Sequence, residues 1–112
     1  MIYKIVSTGE WEQTRAAGQL TGTPMDHQSG FIHLSGADQV VETARRFFGG
    51  VTGLTLLTVD PARLGDELRW EASRGGALFP HLYGVLPVTA VVAAEALPVD
   101  VPAADAVAAL LA

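Results

Sequence analysis

Cysteine is absent from the chain. That excludes a disulfide framework and any thiolate metal site, so a bound metal would have to rely on His, Asp and Glu. Lysine is nearly absent as well: Lys4 is the only one among 7 basic residues, an imbalance expected of a GC-rich genome. Positive charge is scarce overall, since 7 Lys and Arg against 12 Asp and Glu give a net charge of -5. Such a surface repels phosphate backbones and anionic bilayers, so non-specific nucleic-acid or membrane binding is not expected, whereas a single bound nucleotide is compatible with it. No apolar run approaches the roughly 20 residues of a membrane span. The amino-terminal "MIYKIVSTGEWEQ" has no basic segment followed by a sustained apolar core, so a cytoplasmic, unprocessed bacterial chain is expected. No internal repeat is present.

What the sequence does have is apolar material for one core. It has 112 residues, 49% of them hydrophobic, which fits a single domain spanning 1–112. "IYKIV" reads as a strand with Ile2, Lys4 and Val6 on one side and Tyr3 and Ile5 on the other. Ser7 and Thr8 offer capping oxygens and Glu10 and Glu12 fall in a first turn, predicting a helix over about 9–19 that Gly18 and Gly22 help to end. Residues 21–30, "TGTPMDHQSG", carry turn formers without a period and read as a surface loop containing His27. A second helix is predicted over 38–48, with Val40, Val41, Ala44, Phe47 and Phe48 on one stripe and a Glu42/Arg46 pair. "LTLLTVD" (54–60) reads as a central strand without a polar face, followed by an Asp-capped, Pro-initiated turn. Residues 85–97 form strand up to Val92 and then become alanine-rich, and Pro102 opens a short closing helix. Trp11 and Trp70 are expected in the core.

The chemistry-bearing residues cluster in a recurring pattern, Phe-x-His-Leu, at Phe31 and Phe79. In "FIHLS" the alternation puts Phe31, His33 and Ser35 on one face and Ile32 and Leu34 on the other, so the His33/Ser35 face should look toward something polar. In "FPHLYG" His81 and Tyr83 share a side, and Pro80 argues against a central strand. "ELRWEA" alternates so that Arg69 and Glu71 are neighbours, an anion clamp beside a carboxylate base or simply a solvated strand face. "SRGGA" could let backbone N–H groups converge next to Arg74. Ser35, His81 and Glu71 lack the Gly-x-Ser-x-Gly turn of a hydrolase elbow, and His33, His81 and Glu71 lack a local metal-ligand spacing, so no metal is expected.

The ordered set "IYKIV", "GFIHLS", "TARRFFGG", "LLTVDPARL", "LRWE" and "FPHLYG" resembles the small bacterial family called domain of unknown function 952, from Ile2 to about Val92. The resemblance implies an α+β fold: a bent, mainly antiparallel split sheet with two main packed helices, as in ADP-ribosyltransferases and their RNA 2′-phosphotransferase branch. By that likeness Tyr3-Lys4 stands where those transferases often have an aromatic followed by His or Arg. Ser35 resembles the serine of the second transferase motif, and Glu71 or Glu95 would be the third-motif glutamate. The function it implies is a cleft for NAD, ADP-ribose or a phosphorylated ribose. His33, Ser35 and Glu71 would then be catalytic and Lys4, Arg69, Arg74, His81 and Tyr83 would bind ligand, with NAD a candidate substrate and no further cofactor assigned. The alternative is a non-enzymatic binding or regulatory module on the same fold. The chain is a monomer or a homodimer, and in the dimer the apolar C-terminal helix would form the interface.

Overall fold

A computed structural model describes residues 1–112. Strand β1 (Ile2–Ser7) leads into α1 (Thr8–Ala17), and the capping box between Ser7 and Glu10 fixes that junction. Gly18, at φ 84°, ends α1 in the left-handed region, where its N–H bonds the Thr14 carbonyl. β2 (Gln19–Leu20), α2 (Pro24–Ser29), β3 (Ile32–His33) and β4 (Ser35–Gly36) follow, then α3 (Val40–Phe47) and β5 (Leu54–Val59). The second half comprises β6 (Leu68–Ala72), β7 (Leu78–Leu82), β8 (Leu86–Pro87), β9 (Val91–Ala96) and α4 (Ala103–Leu111).

All strand pairs are antiparallel and fall into three sheets, β4-β1-β5-β9, β3-β7-β6 and the small β2-β8 ribbon. The molecule is therefore α+β with antiparallel sheets and four α-helices. Alternation along β1 and β5 supplies two cores. Tyr3, Ile5, Leu54 and Leu56 pack on α3 and α4 through Val40, Ala44, Ala103 and Val107. Ile2, Val6, Leu57 and Val59 pack on the opposite side against Ile32, Leu34, Leu82 and Leu86. β5 is central, as its lack of a polar face requires.

Several expectations are corrected. The 21–30 segment contains α2: Thr23 caps it, Pro24 starts it, and Asp26 closes a capping box with the Thr23 backbone. Pro80 lies in β7, the middle strand of its sheet. In register its partner on the far side is Leu34, whose N–H donates to the Pro80 carbonyl at 3.1 Å. Pro80 has no N–H to return, so the β3 ladder stops after His33 and the chain leaves that sheet. Residues 85–97 are not one strand, because Pro87 and a 3-10 turn over Val88–Ala90 redirect the chain. The alanine-rich part is nonetheless strand, since pairing with β5 outweighs weak propensity. Trp11 packs on the core, but Trp70 is 48% exposed on the edge strand β6. The buried face of α4 is already used against α3 and the sheet, which leaves Leu110 as its exposed large apolar residue.

Leu57 is completely buried at the centre of β5. Leu57→Ala should lower stability by about 2–5 kcal/mol, read as a drop in urea midpoint at unchanged slope.

Candidate functional site

β4 covers β1 only at Ile2 and Tyr3, while β3, just before it, pairs with β7. Residues 32–36 thus cross from one sheet to the other, with Leu34 as the joint. Beyond Tyr3 the edge of β1 is open, and a cleft of about 450 Å³ lies there, bounded by β1, α2, α3 and β7. That volume suits a small-molecule ligand.

Lys4 enters from β1 on the Ile2/Val6 side and is only 7% exposed. Its ammonium donates to the His33 carbonyl at 2.8 Å and pairs with Asp26 at 3.1 Å. Asp26, 3% exposed on α2, also accepts from the Thr23 N–H at 2.8 Å, the His33 N–H at 3.1 Å and His33 Nδ1 at 2.7 Å. A carboxylate offers about four lone-pair sites, and these donors occupy them. Burial works to raise the Asp26 pKa, but Lys4, the His33 ring and the two backbone N–H groups outweigh it and hold the carboxyl below its ordinary value. Burial pushes the Lys4 ammonium down, against the opposing pull of Asp26.

His33 and His81 are directly paired residues of β3 and β7, with ring centroids 6.0 Å apart. Phe31 touches both rings, stacking on His81 at 4.0 Å. His81 repeats the arrangement of His33, because its Nδ1 lies 2.9 Å from Glu71 Oε1. The Tyr83 hydroxyl donates to the same oxygen at 2.6 Å. Hydrogen bonds from Tyr83 and then His81 hold the Glu71 carboxyl below its usual range, and the bond to Glu71 raises the Tyr83 phenol. Neither Nε2 has a hydrogen-bond partner in the protein, and neither is fully enclosed. Both residues line the cleft.

Arg74 forms the opposite rim. Its guanidinium lies over Phe79 and Phe47, at 4.9 and 5.5 Å from the ring centroids, and donates to Thr43 Oγ1 at 3.3 Å, with no carboxylate partner. Thr43 in turn bonds Ser35 Oγ at 2.9 Å. The glycine loop offers Arg74 less help than expected, since the Gly76 and Ala77 N–H groups bond Ser73 and Arg74 carbonyls inside the turn.

The structure therefore brings Lys4, His33, Ser35, Arg74 and His81 to one cleft and leaves Glu71, Arg69 and Tyr83 outside its lining. Glu71 stands behind His81, not in the cleft, and Arg69 packs over the Tyr83 ring at 5.2 Å. Glu95 is exposed on β9, remote from the cleft. Two site residues escaped the sequence reading: Thr43, hidden in an ordinary helix, and Asp26. The Thr-Pro-x-Asp run at 23–26 is a helix-start signal that would have found Asp26.

Residues 5–94 match the family described as Protein of unknown function (DUF952). The chain belongs to the DUF952 family. No curated protein matches it. Among solved structures, the DUF952 chain is similar to protein CC0527 from Caulobacter crescentus. In its X-ray structure the identity is 45% over 96% of this chain and 97% of that one, with a TM-score of 0.87. The solution NMR structure of CC0527 gives 47% identity over 91% and 88%, with a TM-score of 0.80.

Asp26→Asn strands Lys4 in the interior and should cost about 3–5 kcal/mol, more than Lys4→Met, which leaves Asp26 its other donors. Since the folded Asp26 pKa is depressed, its contribution is present above the ordinary carboxylate value and lost as pH falls through the lower folded one. Wild-type stability should therefore drop on acidification below about pH 4. Denaturant titrations across that range should show this limb flattened in the Asp26→Asn variant.

Proposed function

We propose that the cleft binds a small nucleotide-type anion: NAD, ADP-ribose or a phosphorylated ribose. The observation that carries this reading is Arg74, a half-buried guanidinium at the cleft rim that sits over two aromatic rings with no carboxylate to neutralise it. Arginine in such a setting suits a phosphate, which it can bind through two parallel N–H donors. Phe47, 52% exposed beside it, offers an apolar face for a base or nicotinamide ring, and Ser35, Thr43 and the imidazoles supply hydrogen bonds for ribose hydroxyls. Lys4 shapes the floor by holding Asp26 and the His33 carbonyl and is not available to a ligand.

The likeness to ADP-ribosyltransferases points to the same ligand class. Cleavage at the nicotinamide ribose with Glu71 as its carboxylate has less support, because Glu71 accepts from His81 and Tyr83 and lies outside the cleft. A binding module on this fold would need only the cleft.

Titrating NAD, ADP-ribose and ribose 5-phosphate against the protein by ligand-observed NMR should give binding for at least one. Arg74→Gln should weaken that ligand about 10- to 100-fold, as loss of a charge-assisted hydrogen bond implies. It should leave unphosphorylated adenosine unaffected. A panel silent for every phosphorylated member would overturn the reading.

A further inference from the structure

We infer that the cleft hydrolyses a mononucleotide-sized cyclic phosphodiester of ribose, with His33 and His81 as paired acid and base. This rests on the reading of the cleft as a nucleotide site and names its chemistry. Both imidazoles are tied through Nδ1 to a carboxylate, His33 to Asp26 at 2.7 Å and His81 to Glu71 at 2.9 Å. A carboxylate accepts only, so in each neutral ring Nδ1 holds the proton and Nε2 is left as the free acceptor, on two residues that line the cleft. Two such rings with centroids 6.0 Å apart can reach a single phosphoryl group, one on the entering oxygen and one on the leaving oxygen, each needing a proton partner at about 2.6–3.2 Å.

The other groups in the cleft narrow the reaction. There is no cysteine, Ser35 Oγ is bonded to Thr43 and not to a base, and Lys4 is paired with Asp26. Of the cleft carboxylates, Asp26 has its oxygens filled and Glu10 accepts from the Ser7 N–H. The cleft's other hydroxyls, on Tyr3, Thr23, Thr43 and Ser73, are likewise bonded to no imidazole or carboxylate that would activate them, so the cleft is equipped for proton transfer beside an anion held by Arg74. A ribose 2′,3′-cyclic phosphate needs only that. One imidazole takes a proton from water as the water oxygen bonds to phosphorus, and the bond from phosphorus to one ribose oxygen breaks. The other ring, as imidazolium, gives its proton to that oxygen. The product is a ribose phosphomonoester, and the rings return to their starting forms by exchanging one proton with solvent. The net charge of -5 and the cleft volume favour a mononucleotide over a polymer.

The test follows adenosine 2′,3′-cyclic phosphate by ³¹P NMR, with binding of the same compound and of adenosine 2′-monophosphate read from protein chemical shifts. Wild type should convert the cyclic compound to monoester. His33→Gln and His81→Gln should each lower kcat about 10²- to 10⁴-fold while still binding the monophosphate. Glu71→Gln, a change at a positioning residue, should lower kcat with KM nearly unchanged. Binding without turnover in wild type, or turnover that survives either histidine change, would overturn the hydrolytic assignment and leave the nucleotide cleft standing. Absence of binding by both adenosine phosphates would overturn the hydrolytic assignment, and silence of NAD, ADP-ribose and ribose 5-phosphate as well would sink both readings.

Discussion

A single carboxylate inside the protein, Asp26, ties three separate parts of the chain together. It neutralises Lys4 of β1, closes the first turn of α2 through Thr23, and fixes both the backbone and the ring of His33 on β3. Strand alternation leaves Lys4 no other place to go, since it shares its face with Ile2 and Val6, which are almost wholly buried. An ammonium in that position needs a partner, and the partner available is one that also aims an imidazole into the cleft.

The cleft itself follows from a break in pairing. Residues 32–36 belong to two sheets, and Pro80 supplies a reason: without an N–H it cannot extend the ladder past His33, so the chain passes to β1 at Ser35. The sheets then diverge and the gap between them is lined from both. The recurring Phe-x-His-Leu pattern gains a physical meaning from the register. His33 faces His81 across the β3/β7 pair, while Ile32 and Leu82, also paired, turn to the core. On β6, Arg69 lies opposite His81, which brings the neighbouring Glu71 diagonally within reach of the ring.

Much of this was legible before any coordinates. β1, the Ser7 cap, the central β5, the shared His33/Ser35 face and the α3 stripe through Val40, Val41, Ala44 and Phe48 rest on short-range periodicity or local hydrogen bonding and lie where the sequence predicts, whereas Phe47, expected on that stripe, is 52% exposed beside Arg74. The recurring Phe-x-His-Leu pattern marks His33 and His81 as a pair, but their adjacency is set by the β3/β7 register. What escaped depends on contacts between distant segments. α2 is a single short helix whose capping box lies within a dense run of turn formers, which hides Asp26 among loop residues. Alternation places Glu71 beside Arg69 on one strand face, yet the hydrogen bonds it accepts come from across the sheet, from His81 and Tyr83. Alternation predicts Trp70 in the core, but β6 is an edge strand and the core ends short of it.

The preorganised pair of imidazoles is the claim on which the chemistry of the cleft depends, and ¹⁵N chemical shifts of the histidine rings read it directly. With the rings neutral, His33 and His81 should both carry their proton on Nδ1 and leave Nε2 bare toward the cleft. A neutral ring with its proton on Nε2 would contradict it, because that ring's Nδ1 could no longer be donating to its carboxylate.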